Sequence, residues 1–222
     1  MLSNSGPAPN PAPADPRAAN RSNMRRQILN LASQLLTTEG PQALSMRKLA
    51  LALGVSTIVL YTYFKDKQDI LDELYQEGFE RLRHDLSLVP RGTDPMAYVM
   101  ELGRTYRRSA VANSTYYQIM FSRCVPGFNP SEASRETSKQ AFGIWAAGVQ
   151  RCIDANIIHG AHTGRAAEVA QVLWGMLHGM ISLELFGYLG TAVAGEALLE
   201  QAIQTIKTGF IYSNPNNSRK LS

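Results

Sequence analysis

The sequence predicts an all-α fold, and three observations support this prediction. Apolar residues recur at spacings of three and four along most of the 222-residue chain, as they do in amphipathic helices. No stretch alternates apolar and polar residues for long enough to form a half-buried strand. Between Ser45 and Lys67, two short helical segments are joined through Gly54, which is typical of a helix-turn-helix. We therefore expect an N-terminal three-helix unit and a larger helical unit, with about nine helices in total.

The N-terminus is expected to be a disordered tail over residues 1–21. It is rich in proline, alanine and asparagine and cannot bury enough apolar surface to offset chain entropy. Arg17 and Arg21 leave two interpretations open, a basic arm that touches a polyanion or an inert tail. The first helix is predicted over residues 22–39, where apolar residues repeat at helical spacing until Gly40.

Two short helices are predicted next, at residues 45–53 and 56–63. Ser45 and Ser56 precede them, and serine is a preferred N-cap because its hydroxyl accepts a hydrogen bond from a free backbone N–H. Gly54 lies between them, where glycine readily adopts the left-handed conformation that ends a helix. These signals predict the tight turn of a helix-turn-helix.

A fourth helix is predicted from Asp66, another capping residue, to about His84. It should connect the N-terminal domain, residues 22–88, to the rest of the chain. The proline and glycine of residues 89–93 indicate a linker and therefore a domain boundary.

The second domain is predicted over residues 94–213, followed by a flexible tail over 214–222. Asp94 and Pro95 open its first helix as N-cap and first helical residue. Helical spacing and Gly or Pro breaks divide the domain into five helices. They are expected at residues 95–113, 115–124, 132–155, 165–189 and 194–212.

The net charge of +4 is located entirely in the N-terminal part of the chain. Residues 1–70 carry eight Lys and Arg against four Asp and Glu, whereas the remainder carries fourteen of each sign. A neutral body with a basic end suits a polyanionic partner such as nucleic acid. An ordinary solvated surface fits the same bias, so charge alone leaves both interpretations open.

Residues 24–75 resemble the DNA-binding domain of the TetR family of bacterial transcriptional regulators. The matching segments are ILNLASQLLTTEG and LSMRKLALALGVSTIVLYTYFKDKQDIL, and the second contains the family's LY-x-x-F-x-x-K pattern, from Leu60 to Lys67. The segment WGMLHGMISLEL, from Trp174 to Leu185, is similar to the Trp/His/Gly signature of one TetR subgroup. The resemblance implies a homodimeric regulator, usually a repressor, that binds a palindromic double-stranded DNA operator and responds to a small-molecule effector.

The helix-turn-helix geometry predicts which residues contact DNA. The second helix enters the major groove, where Thr57 and Ile58 would meet base edges, with Thr62 one turn later. None of them is Arg, Asn or Gln, so Arg47 on the preceding helix is the candidate for a base contact, to guanine. Phosphate contacts are expected from Ser45, Tyr61, Tyr63, Lys65 and Lys67, and the resemblance supports Tyr61, Tyr63 and Lys67.

Two further sites are predicted in the second domain. Its aromatic residues suit an apolar cavity of the kind that binds small molecules. The candidate pocket residues are Tyr106, Tyr117, Phe121, Phe142, Trp145, Trp174 and His178. Small residues at helical spacing allow a second helix to approach closely, so the last two helices are the candidate dimer interface, although packing within the chain is the alternative. The candidate interface residues are Gly175, Gly179, Ser182, Leu199 and Ile206.

An enzyme is not expected, because no set of nucleophile, base and orienting residue can be assembled. His178 and Glu184 are six residues apart on one helix and should point to different faces. Cys124 and Cys152 fit no metal or redox spacing, so we expect no metal, no cofactor and reduced thiols in a cytoplasmic protein.

Two other interpretations concern the apolar stretch at residues 172–195 and the effector. The stretch carries one formal charge and could span a bilayer, but polar residues and glycines interrupt it and basic flanks are absent. We therefore expect burial in protein and no membrane. An architectural DNA-binding protein without an effector remains an alternative, and it would need no apolar pocket.

Overall fold

The computed structural model describes residues 16–121, 125–158 and 165–211, except for the side chains of residues 192–193 and 206–211. Within these ranges the predicted all-α fold is confirmed, with nine α-helices and a 3-10 turn at Pro41–Ala43. The helices are α1 Pro16–Thr38, α2 Met46–Leu53, α3 Thr57–Tyr61, α4 Lys67–Ser87, α5 Pro95–Ala112, α6 Ser114–Phe121, α7 Glu132–Asp154, α8 Ala166–Leu185 and α9 Ala192–Ile211. The predicted C-terminal tail at 214–222 and Cys124 lie outside the described residues.

The first helix begins six residues earlier than the sequence predicts. Residues 16–21, assigned to the tail, form the first turns of α1, which starts at Pro16. Proline is favoured at the first helical position, because its missing N–H would have no partner there and its φ is already helical. Arg21 also donates a hydrogen bond to the carbonyl of Thr62. The remainder of the predicted tail, residues 1–15, lies outside the described part of the chain.

The chain divides into two compact units between Ile70 and Leu71, inside α4. The predicted linker at residues 89–93 falls within the second of these units. The reason is that most of α4 packs with the second unit: Tyr75 contacts Phe128 through its ring, and Phe79 contacts Phe121. A proline and a glycine mark a break between helices, but they do not show which core a long helix joins.

The N-terminal unit is built around a small apolar core. Ile28 of α1, Leu49 of α2 and Leu60 of α3 are fully buried, and Phe64 is 1% exposed. These residues come from three helices and from the segment after α3, so they fix the angle between α2 and α3. The core therefore holds the helix-turn-helix as one unit.

In the C-terminal unit, α7 packs on both α5 and α8, and α9 packs on α8. Asp94 caps α5 as predicted, because its carboxylate accepts hydrogen bonds from the N–H groups of Met96 and Ala97. Gly148 allows α5 and α7 to approach closely, since a Cβ there would lie 3.1 Å from atoms of both Leu102 and Val99. This close contact positions α7 beside the aromatic residues of α5.

The apolar helix α8 is buried on one face only. Leu173, Leu177 and Ile181 point into the unit, whereas Val172 and Met176 are about half exposed, at 57% and 49%. Among the described residues, no helix combines the length and the apolar character needed to cross a membrane. The expected burial of this stretch is thus only partial.

Candidate functional sites

Three caps hold the helix-turn-helix in place, and all three were predicted. The Ser45 hydroxyl accepts a hydrogen bond from the Lys48 N–H at 3.2 Å, and the Ser56 hydroxyl accepts one from the Val59 N–H at 3.4 Å. Gly54 ends α2 with φ 67°, in the left-handed region that favours glycine. The short turn therefore sets α3 at a fixed angle to α2.

All nine predicted DNA-contacting residues remain accessible at the surface of the N-terminal unit. Ile58 is 76% and Tyr61 55% exposed, which is unusual for apolar and aromatic side chains. Six of the nine are exposed and three are partly buried, namely Thr57, Tyr63 and Lys67. The core therefore leaves these side chains available to a partner.

Two arginines of α1 hold the end of α3, a role that the sequence analysis missed. Arg25 donates a hydrogen bond of 2.7 Å to the carbonyl of Tyr63, and its guanidinium lies 4.3 Å from the centre of the Phe64 ring. Arg21 donates to the carbonyl of Thr62 at 3.4 Å. The Thr62 hydroxyl donates to the carbonyl of Val59 at 2.7 Å, and its oxygen remains free to accept a hydrogen bond.

A reciprocal cap begins α4 directly after this segment. The Asp66 carboxylate accepts a hydrogen bond from the Asp69 N–H, and the Asp69 carboxylate accepts one from the Lys65 N–H, both at 3.0 Å. This arrangement fixes the backbone between two cations that were predicted to contact phosphates, Lys65 and Lys67. Asp66 was predicted as a cap, whereas the return bond from Lys65 was not.

The C-terminal unit contains a cavity of about 400 Å³, which we call the aromatic cavity. Such a volume lies within the usual range for small-molecule sites. Of the seven predicted pocket residues, five line it: Tyr106, Phe121, Phe142, Trp145 and Trp174. Further residues that line it and were not predicted are Tyr75, Phe79, Leu82, Leu86, Met120, Ser138, Lys139, Ala141 and Gln171.

The missed α4 residues had a signal in the sequence. Tyr75, Phe79, Leu82 and Leu86 follow one another at spacings of four, three and four, which places them on one face of a helix. The sequence predicts only that this helix connects the two domains, whereas its apolar face also forms a wall of the cavity. Leu82 and Leu86 are 6% and 3% exposed, so the face is buried in the C-terminal unit.

The other two predicted pocket residues, Tyr117 and His178, form a polar group beside the cavity. The hydroxyls of Tyr106 and Tyr117 lie 3.1 Å and 2.8 Å from His178 Nδ1, and the Tyr117 hydroxyl lies 3.1 Å from Ser182 Oγ. Burial lowers the pKa of His178, which favours a neutral ring at pH 7. Burial also raises the pKa of Tyr106 and of Tyr117, so both phenols stay protonated.

The residues of the predicted dimer interface lie on different faces of their helices. Gly175 and Gly179 are exposed, and a Cβ on either would meet no atom within 4 Å. Ser182 and Leu199 face the interior instead, because Ser182 contacts the Tyr117 hydroxyl and Leu199 is 4% exposed. The side chain of Ile206 lies outside the described residues. Exposed apolar side chains continue the glycine face along α8, and we call this surface the α8 stripe: Val172, Gly175, Met176, Gly179 and Leu183.

A buried ion pair joins α5 to α8. The Arg107 guanidinium donates hydrogen bonds of 2.8 Å and 2.6 Å to the two carboxylate oxygens of Glu184, and the side chains are 10% and 9% exposed. Gly195 lies against this carboxylate, so a Cβ there would overlap Glu184. Both carboxylate oxygens of Glu184 are thus engaged with Arg107.

Two family models together match most of the chain. Residues 28–74 match the model of bacterial regulatory proteins of the tetR family, and residues 99–206 match a tetracycline repressor-like C-terminal domain. The chain therefore belongs to the TetR family of DNA-binding transcriptional regulators. Regulators of this family bind DNA and small-molecule effectors as dimers. Neither model description names the Trp/His/Gly subgroup, so that finer assignment stays a prediction.

Individual proteins are similar to the chain in sequence or in fold. The chain is 33% identical to the tetracycline repressor protein class D of Escherichia coli over 85 residues, which are 38% of this chain and 38% of that protein. A solved protein of unknown function from Rhodococcus sp. RHA1 is 26% identical, with a TM-score of 0.72 over 85% of this chain and 95% of that one. The TetR family regulator PfmR from Thermus thermophilus is 20% identical, with a TM-score of 0.64 over 81% and 96%, and shares the fold.

Proposed function

We propose that the protein is a transcriptional repressor that binds a twofold-symmetric DNA operator as a homodimer and releases it when a small, largely apolar molecule occupies the aromatic cavity. The observation that carries this proposal is the course of α4. This helix begins at Lys67, a predicted phosphate contact, and further along supplies Tyr75, Phe79, Leu82 and Leu86 to the cavity lining. A ligand in the cavity therefore contacts the same helix that carries Lys67.

Release of DNA requires that the ligand bind one conformation of the dimer more tightly than another. The two recognition helices of a helix-turn-helix dimer must lie about one helical turn of DNA apart, roughly 34 Å, or a multiple of it. A small displacement of α4 in each subunit changes that spacing. The proposed coupling thus needs only a modest change at the cavity.

Dimerisation is assigned to the α8 stripe. Its glycines leave room for a second helix, and its apolar side chains are half exposed in the single chain. A twofold axis brings the same surface from a second copy onto it, which is the common symmetry of homo-oligomers. We place the protein in the cytoplasm, where its DNA target lies.

The proposal can be tested by selection from a random duplex DNA library. We expect an inverted repeat to be enriched and to bind with a Kd that rises steeply with salt, because phosphate contacts release counterions. The mass of the complex, measured by sedimentation, should correspond to two subunits for each operator. Small apolar compounds that raise the thermal stability of the protein should then be tested for release of the operator.

Two results would contradict the proposal in different ways. If the protein remains monomeric and does not bind duplex DNA at low salt, it is not an operator-binding dimer. A protein that binds the operator with the same Kd whether or not the cavity is occupied would instead be an effector-independent architectural protein.

A further inference from the structure

We infer that the effector is a flat aromatic molecule with one anionic group. This inference rests on the proposed function of the aromatic cavity as an effector site. The inference follows from three properties of the lining: where its polar atoms point, how its rings are oriented, and which charge lies among its residues. Each property excludes a different class of ligand.

The interior of the cavity offers ring surfaces but few free polar atoms. The Trp145 indole N–H donates a hydrogen bond of 3.0 Å to the carbonyl of Ala170, and the Tyr106 hydroxyl contacts His178 Nδ1. In the described part of the chain, every buried side-chain nitrogen or oxygen has a partner. A sugar or a peptide carries more polar groups than this lining can pair, so it would bury some of them without partners. Ser138, Lys139 and Gln171 supply the polar atoms of the lining, and the part of the ligand that faces the rings must be apolar.

The rings that line the cavity stand at steep angles to one another. Phe142 and Trp174 meet at 68° with their centres 5.8 Å apart, and Phe121 and Trp174 meet at 59° with their centres 5.6 Å apart. Such an arrangement presents both faces and edges. A flat aromatic ligand can stack on one ring and meet the edge of another, and these ring contacts add affinity beyond the area that the ligand buries. An alkyl chain gains only the buried area.

The charge of the lining favours an anion. Among the described residues that line the cavity, none is Asp or Glu, and Lys139 is the cation. Its ammonium lies 3.4 Å from carboxylate oxygens of both Glu132 and Glu136, and its side chain is 62% exposed. Contacts of this length at an exposed site are weak, so the ammonium can exchange them for a carboxylate on a ligand. A cationic ligand would find aromatic faces but no carboxylate in the lining itself, because Glu132 and Glu136 lie outside it, beside Lys139.

The test compares three ligands of nearly equal size by calorimetric titration of the full-length protein. They are 2-naphthoate, its saturated analogue decahydro-2-naphthoate, and the cation (2-naphthylmethyl)trimethylammonium. We expect 2-naphthoate to bind at least about tenfold more tightly than either of the others, because only it combines ring contacts with a negative charge. Equal or tighter binding of the saturated acid or of the cation, or no binding of 2-naphthoate, would overturn the inference.

Two variants locate the binding. Phe142→Leu keeps an apolar side chain but removes a ring. It should weaken the binding of 2-naphthoate and leave the binding of the saturated acid unchanged. Lys139→Met should weaken 2-naphthoate but not its neutral methyl ester. The matched control is Arg165→Met, which removes an exposed cation paired with Glu168 outside the cavity lining. It should change neither the affinity for 2-naphthoate nor the affinity for its methyl ester. Circular dichroism of each variant shows whether it is folded, and equal losses for acid and ester would contradict the role of Lys139.

The DNA assay separates this inference from the proposed function. If the saturated acid binds more tightly and releases the operator, the ligand class is wrong and the proposed function stands. If 2-naphthoate binds as expected but leaves the operator Kd unchanged, the ligand class stands and the effector role fails.

Discussion

The two units of this protein place their functional side chains in opposite ways. In the N-terminal unit, the candidate residues point outward from a small core, as Ile58 and Tyr61 do. In the C-terminal unit, the candidate residues point inward from α4, α5, α6, α7 and α8 and enclose a cavity. An outward surface on two adjacent short helices depends on local chain geometry, whereas an enclosed cavity depends on contacts between distant segments. The four predictions below test this contrast.

The largest effect is expected from breaking the buried ion pair of the C-terminal unit. Glu184→Gln removes the carboxylate that accepts both hydrogen bonds of Arg107 and leaves only the more distant charge of Glu196, so we expect a loss of about 3 kcal/mol in the free energy of unfolding. Both tryptophans of the chain, Trp145 and Trp174, lie in this unit, so urea unfolding followed by tryptophan fluorescence reports on it.

The control for this prediction is the double variant Arg107→Met/Glu184→Met. It replaces the pair by apolar side chains and should recover most of the stability, because no unpaired charge remains. A loss below about 1 kcal/mol in Glu184→Gln would mean that long-range polar contacts do not hold the C-terminal unit together.

The next effect concerns the α8 stripe. Gly179→Leu should raise the dimer Kd about 100-fold, because a twofold interface carries each added side chain twice. Gly143→Leu is the matched control, since Gly143 is also an exposed glycine within a helix and a Cβ there meets no atom within 4 Å. The dimer Kd of each variant is measured by sedimentation velocity. Equal dimer Kd values for the two variants would place the interface elsewhere.

A smaller effect is expected at the outward-facing surface of the N-terminal unit. Arg47→Ala should raise the Kd for the preferred operator about tenfold, because a contact to guanine is lost. The variant should also bind operators that differ at that one base pair with nearly equal Kd. Lys67→Ala should raise the Kd for all duplex sequences by a similar factor. It should also reduce the slope of log K against log salt concentration by about one. Anisotropy titrations on the operator and on random duplex measure both, and equal losses on every sequence for Arg47→Ala would refute its base-reading role.

The same contrast explains what the sequence could predict. The caps Ser45, Gly54 and Ser56 act within four residues of their partners, so their pattern in the sequence was sufficient. The side chains of Ser182 and Leu199 were placed on the dimer face, but they point inward. Which face of α8 is buried depends on Tyr117, some sixty positions away, whose hydroxyl contacts Ser182. Periodicity identifies a helix and its apolar positions, but it does not show which neighbour covers them.

The smallest expected effect is a pH dependence that belongs only to the inward-facing side. Burial lowers the pKa of His178 below its ordinary value of 6.5, while Tyr106 and Tyr117 beside it stay protonated. Above pH 6.5 the ring is neutral in both the folded and the unfolded state, and the contribution of His178 to stability is fully present. As the pH falls through 6.5 toward the folded-state pKa, the unfolded state gains a proton that the folded state does not.

The free energy of unfolding should therefore decrease over this interval, by at most about 1.4 kcal/mol for each pH unit. His178→Gln should lack this part of the slope. Urea unfolding at pH 7.5 and at pH 5.5 measures the difference between the two proteins. Parallel pH profiles would show that His178 is hydrated in the folded state, and that the polar group beside the aromatic cavity is open to solvent rather than enclosed.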